Sequence, residues 1–349
     1  MWNTVRCWTP FATPFERRER DGLTEPLLCV ARASSPSGGE DSFAMRADAS
    51  GAFLCVADGC GGLGSRRYPH LDERTGAYLA ARLVARAFAG FARETPRLPS
   101  TPEEGGRQRR ALEEALEAML GGFAQRHLPL NATRIVGSMQ RELPATLCGA
   151  CVRPGAAGWR ELCFFWAGDS RGYVLDENGL HQCTRDDLRG DPDAFESLYR
   201  DTPLSNVLCA GQAARVSMRR LRAPLPGVIL LATDGAYSAL PTPMEFEFLL
   251  VDTLLAAKSW AGWQKRLENR VGKWAQDDAT LLLHPCGAAD LAALQRELAP
   301  RRVFLQKNYI TPVRRHKGNI AFAQERWQSY RQTYDWTEGG RDGAVDWRI

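Results

Sequence analysis

Apolar runs with the length of buried strands keep meeting a carboxylate at one end. Phe53–Ala57 stops at Asp58, Leu162–Gly168 at Asp169 and Val228–Thr233 at Asp234, while Asp277 and Asp278 stand directly before Ala279–Leu283. Glu40 and Asp41 lie beside a further strand-like segment, Phe43–Arg46. Uninterrupted apolar runs fit strands covered on both faces. The chain must therefore stack sheets beneath other layers and bring several acids to strand mouths.

One carboxylate at a strand end costs little when solvated. Several brought together repel and raise one another's pKa unless a cation lies between them. Oxygen ligands without a His or Cys cluster suit Mg²⁺ or Mn²⁺. The five histidines form no metal-spaced pair, which counts against zinc. Cys148 and Cys151 make one C-x-x-C, but on a strand they would face opposite sides and act as structural cysteines. Two cations in one site lower the pKa of a shared water and polarise a phosphoryl group for in-line attack, which is the chemistry of phosphate-ester hydrolysis. The competing reading of the same positions is plain strand-end turn residues.

Between the strands, Leu79, Leu83, Ala87, Phe88 and Phe91 recur at helical spacing, as do Leu112, Ala115, Leu116, Met119 and Phe123. Strands are expected at Leu27–Ala33, Thr146–Val152, Leu162–Ala167, Gly172–Leu175, Val228–Ala232 and Ala279–Leu283, and helices at Met244–Ala257 and Trp260–Val271. Strands in consecutive groups, bracketed by helices, predict an α+β sandwich with helices outside rather than a doubly wound parallel sheet. The expected organisation is an N-terminal arm over 1–26, a catalytic domain over 27–286 and a C-terminal appendage over 287–349, basic and aromatic in character with Trp327, Tyr330, Tyr334, Trp336 and Trp347.

The net charge of +4 is too small to mark a nucleic-acid or membrane binder. No apolar run approaches the roughly 20 residues that cross a bilayer. The start carries no signal-peptide pattern, and the scattered cysteines fit a reducing compartment, so a cytoplasmic location is expected.

Taken in order, Asp58-Gly59-Cys60-Gly61-Gly62, Ala167-Gly168-Asp169-Ser170-Arg171, Thr233-Asp234-Gly235 and Asp277-Asp278-Ala279-Thr280, with Glu40-Asp41, Ala145-Thr146-Leu147 and Thr184-Arg185-Asp186-Asp187, resemble the motifs of protein phosphatase 2C enzymes over about Leu27 to Pro285. The resemblance implies a four-layer α-β-β-α sandwich of two antiparallel sheets, with metals at one end. It implies that Asp58 bridges two Mn²⁺ or Mg²⁺ ions and that the Gly59 carbonyl binds one of them. Glu40, Asp234 and Asp277 would complete the shells, and Asp169 with Asp234 would face a possible third ion. Asp41 would orient metal-bound water, and Asp278, where many relatives carry Asn, would support the ligands. The implied partners are a phosphoprotein substrate and a cognate kinase or that kinase's target.

The sequence departs from the family in two places. The arginine that holds substrate phosphate in many relatives precedes the Glu-Asp pair, but here that stretch is Ser35-Pro36-Ser37-Gly38-Gly39. Arg32 lies upstream at the wrong spacing, and Arg66 or Arg67 in the loop after the Asp58 motif is the expected substitute. Cys60 stands where some relatives have a histidine that acts as general acid. An active phosphatase, a phosphoprotein-binding pseudophosphatase and a scaffold working through the appendage all remain open at this point.

Overall fold

The computed structural model describes residues 25–34, 38–128, 141–336 and 346–349. The expected arm lies outside them except for residues 25 and 26. In chain order the elements begin with β1 (Leu28–Arg32), β2 (Ser42–Asp48) and β3 (Gly51–Ala57). A short turn α1 (Gly61–Gly64) and the small hairpin β4 (Arg67–Tyr68) and β5 (Arg74–Thr75) lead into α2 (Gly76–Glu94) and α3 (Pro102–His127). Strands β6 (Leu147–Pro154), β7 (Trp159–Ala167), β8 (Arg171–Asp176), β9 (Gly179–Gln182), β10 (Ser217–Pro224) and β11 (Gly227–Ala232) follow. The chain finishes with α4 (Pro243–Leu255), α5 (Trp260–Trp274), β12 (Ala279–Cys286), α6 (Leu291–Leu305), α7 (Thr311–Arg315), α8 (Ile320–Tyr334) and β13 (Trp347–Arg348).

The strands form two antiparallel sheets, ordered β1-β12-β11-β8-β9 and β13-β10-β7-β6-β3-β2. Side-chain alternation explains the apolar runs. On β3, Ala52, Leu54 and Val56 face the opposite sheet, while Phe53, Cys55 and Ala57 face α2 and α3. On β11, Ile229 and Leu231 turn inward between the sheets, and Val228, Leu230 and Ala232 turn toward α4 and α5. Cys148 and Cys151 fall in different cores, and both are free thiols. The result is helices, sheet, sheet, helices.

Helix caps fix where the outer layers start. Thr75, Thr101, Thr242 and Ser259 accept a backbone N–H from the first turns of α2, α3, α4 and α5. The C-terminal helices join the core of the first sheet. Leu294, Leu298 and Leu305 of α6 and Trp327, Tyr330 and Tyr334 of α8 are buried with α4 and β8. Polar groups also pin this layer. Trp327 Nε1 donates to Asp193 at 3.0 Å, and Arg301 and the Tyr330 hydroxyl both bind the buried Glu247. Trp327 is 0% exposed, so Trp327→Ala should lower stability by about 3–5 kcal/mol, read by chemical denaturation; a change under about 0.5 kcal/mol would show that α8 is not part of the cooperative unit.

Candidate metal centre

One end of the sandwich collects the acids because antiparallel pairing brings strand ends and strand starts together. Ser42 pairs with Ala57, which brings Asp41 beside Asp58; Ala232 pairs with Leu281, which brings Asp234 toward Asp277, and Glu40 in turn lies near Asp277 and Asp278. Leu147 pairs with Ala167, which places Thr146 beside Asp169. Gly168 turns the chain at φ +97°, in the left-handed region that glycine tolerates. Gly235 lies so close to the Asp278 carbonyl that a Cβ there would sit 1.9 Å from it.

Hydroxyls and backbone hold the acids in place. Thr233 and Thr280 both donate to Asp41 Oδ2 at 2.8 Å, which ties the first sheet to the start of β2. Thr75 donates to Glu40 Oε1. Thr146 Oγ1 accepts the Asp58 N–H at 3.1 Å and meets Ser170 Oγ at 2.7 Å. The Tyr237 hydroxyl donates to the Asp169 carbonyl at 2.9 Å, and its ring lies 4.1 Å from the Arg171 guanidinium, itself bidentate on Asp186. Asp187 accepts the Gly168 N–H at 3.0 Å. Asp278 spends both oxygens on the chain in front of the site: Oδ1 accepts the Ser34 N–H and hydroxyl at 2.6 and 2.8 Å, and Oδ2 accepts the Glu40 N–H at 2.5 Å.

The electrostatics are those of acids without a counterion. Burial pushes Asp41 up to about 7 against its two threonine bonds, with Asp234 and Asp278 adding repulsion. Asp169 rises to about 7 through burial and the charges of Asp234 and Asp186, opposed by Arg171. Asp58 is held well above the usual carboxylate range by burial and by Asp234, Asp41 and Asp169. Asp234 is raised by burial and Asp277; Glu40 is raised by burial and by Asp278 and Asp277, against the Thr75 bond and Arg67. Asp41 Oδ1 is buried with no hydrogen-bond donor. An acceptor-only, oxygen-rich cluster with an orphaned buried oxygen fits a hard divalent cation.

The three arginines expected near substrate are engaged elsewhere in the structure. Arg32 donates to the Gly272 carbonyl on α5, Arg67 to the Glu73 carbonyl at 2.9 Å, and Arg66 lies 5.3 Å from the Tyr68 ring. Arg67 is the one whose charge acts on Glu40. The sequence reading missed Arg82 on α2, which donates to the Gly39 and Glu40 carbonyls at 3.1 and 3.4 Å and stacks 3.3 Å over Tyr78. Nothing in the sequence separated it from Arg86 and Arg93 of the same helix. Cys60 stays a protonated thiol, because burial first and then Asp58 push its pKa well above the ordinary value. A separate His284, Cys286 and Glu25 group sits at the far end of β12, where Arg160 already binds Glu25.

The profile of the family described as Protein phosphatase 2C matches residues 32–270, more than half of the chain. The chain therefore belongs to the protein phosphatase 2C family, and is by class a metal-dependent phosphoprotein phosphatase. A comparison with curated protein sequences finds no match. Among solved structures, the fold is similar to the serine/threonine phosphatase PstP/Ppp of Mycobacterium tuberculosis, at 19% identity and TM-score 0.52 over 76% of this chain and 100% of that one. It is also similar to Stp1 of Staphylococcus aureus, at 15% identity and TM-score 0.54 over 78% and 100%, and to PppA of Pseudomonas aeruginosa, at 20% and 0.50 over 75% and 97%.

Both Asp278 oxygens accept from backbone N–H groups, so an amide there must aim one NH₂ at a donor. Asp278→Asn, although isosteric, should lower the stability of the metal-free protein by about 1–3 kcal/mol, measured by denaturant unfolding; unchanged stability would show that Ser34 and Glu40 do not depend on this carboxylate.

Proposed function

We propose that the chain hydrolyses phosphoserine and phosphothreonine in proteins by direct attack of water, with Glu40, Asp58, Asp234, Asp277 and the Gly59 carbonyl holding two Mn²⁺ or Mg²⁺ ions. Asp169, with Asp234, faces a third and weaker ion. Bound ions would lower the pKa of a water and polarise the phosphoryl group. The observation that carries this reading is the cluster of buried, mutually repelling carboxylates with Asp41 Oδ1 left without a donor.

The chain's own residues do the positioning. Thr233 and Thr280 fix one oxygen of Asp41 and leave Oδ1 to accept from the attacking water. Asp278 and Arg82 hold the Gly39–Glu40 backbone, and Thr75 holds the Glu40 carboxylate itself. Cys60 keeps its proton and supplies no base. The Asp58-Gly59-Cys60 segment carries no histidine, so the leaving alkoxide takes its proton from water.

A phosphoprotein-binding pseudophosphatase is the second reading. It is favoured by the absence of an arginine between Ser34 and Glu40 and by the engagements of Arg32 and Arg67 elsewhere. Turnover of a phosphothreonine peptide with Mn²⁺, with Mg²⁺ and with EDTA separates the two. The expected result is metal-dependent hydrolysis that EDTA abolishes and that Asp58→Ala and Asp234→Ala reduce by about a thousandfold or more. A folded, metal-loaded protein that binds the peptide without turnover would establish the second reading.

A further inference from the structure

A cleft of about 790 Å³ opens between the catalytic layers and the C-terminal helices, within the size range of ligand sites. Its apolar wall includes Leu240, Phe248 and Trp274, and its far side is built from α6, α7 and the start of α8. Two of its lining residues, Tyr199 at 46% and Ile320 at 51% exposure, are among the few large hydrophobics that the described residues leave open to solvent. Single exposed apolar residues are ordinary, but two converging on a concave surface mark a place where apolar groups are received.

The charges of the cleft have one sign in excess. Arg270, Arg302, Arg314 and Lys317 line it against the two carboxylates Glu245 and Asp252. Those carboxylates anchor the guanidiniums from inside: Arg314 is bidentate on Glu245 at 2.7 and 2.9 Å, and Arg302 and Arg270 meet Asp252 at 2.8 and 3.5 Å. The outer faces stay in solvent, with the Arg314 and Arg270 side chains 57% and 50% exposed. The arginines are thus held in position while part of each guanidinium faces solvent, and Arg presents its donors in a fixed fork.

The cleft is joined to the metal centre by the backbone. Leu240 follows Asp234 by six residues, an extended span of at most about 20 Å. Between them Tyr237 bonds the Asp169 carbonyl, and Tyr199 closes the cleft's edge by donating to the Pro241 carbonyl at 2.7 Å.

We propose that this cleft is a substrate-docking site, taking an acidic peptide segment with interspersed leucine or aromatic residues that lies several residues away from the phosphorylated side chain. The proposal rests on the phosphatase reading for its purpose, but its binding test does not. Carboxylates of the segment meet Arg270, Arg314 and Lys317, and its apolar side chains cover the exposed Tyr199 and Ile320. Specificity then comes from the cleft that α4 and α5 form with the C-terminal helices, and chemistry from the sandwich end.

The test uses the full chain and a fluorescein-labelled, unphosphorylated peptide alternating Asp or Glu with Leu or Phe. Fluorescence anisotropy should show saturable binding that weakens by about tenfold in the Arg270→Glu/Lys317→Glu double variant and as salt is raised. The same peptide with Lys in place of the acids should bind wild type poorly and the variant better. Attached to a phosphothreonine peptide, the acidic segment should lower KM for wild type alone, while p-nitrophenyl phosphate turnover is equal in both proteins. Absence of saturable binding, equal binding to the variant, or equal binding of the lysine peptide would overturn the proposal. Failure to hydrolyse p-nitrophenyl phosphate with peptide binding intact would strike the phosphatase reading instead.

Discussion

Buried like charge at the end of a sandwich is the constraint on which the rest depends. Asp41, Asp58, Asp169 and Asp234 are drawn together by strand register, and each is pushed toward its protonated form by burial first and then by neighbouring carboxylates. Without a cation that arrangement is destabilising, and the surrounding structure is organised to sustain it. Threonines donate to Asp41, a threonine holds Glu40, and the backbone N–H groups of Ser34 and Glu40 hold Asp278. Two apolar sheets fix the strand ends, so the acids cannot relax apart without breaking the packing between β3, β6, β7, β11 and β12.

The second dependence runs through Arg171. Its guanidinium is buried, binds Asp186 and Ser197, and lies against the Tyr237 ring, whose hydroxyl holds the carbonyl of Asp169. Around it pack Tyr173 and Tyr334, the latter from α8. The C-terminal helices are therefore continuous with the core that supports one side of the metal centre. The cleft they enclose with α4 and α5 is a by-product of the same packing, and it lies a few residues from Asp234.

Much of this was legible in the sequence because burial on both faces leaves a plain signature. The runs at β3, β7, β11 and β12 could be read directly, and the acids at their mouths followed. What escaped was whatever depended on pairing across the fold. β10 reads as polar, since Met218 and Leu221 are interrupted by Arg219, Arg220 and Arg222, yet Arg219 and Arg220 are buried. Arg220 bonds Glu161 and the Leu162 carbonyl, and Arg219 the Cys183 carbonyl. α8 carries its aromatics among charged residues, and only the contact with β8 and α4 shows which face is inside. In the site, Asp58, Asp169 and Asp234 stood out, whereas the roles of Thr233, Thr280 and Arg82 required partners some 40 to 240 residues distant.

In the metal-free protein burial and mutual repulsion hold Asp41 and Asp169 up at about 7, and Asp58 well above the usual carboxylate range. Metal binding must then release protons, since ligands bind deprotonated. Calorimetric titration of the metal-free protein with Mn²⁺ at pH 6.5, in two buffers of different ionisation enthalpy, measures stoichiometry and proton release together. The account predicts at least two ions per chain with net proton release, smaller at pH 8 because groups raised to about 7 are already ionised there. Binding without proton release at pH 6.5, or no binding by folded protein, would contradict it.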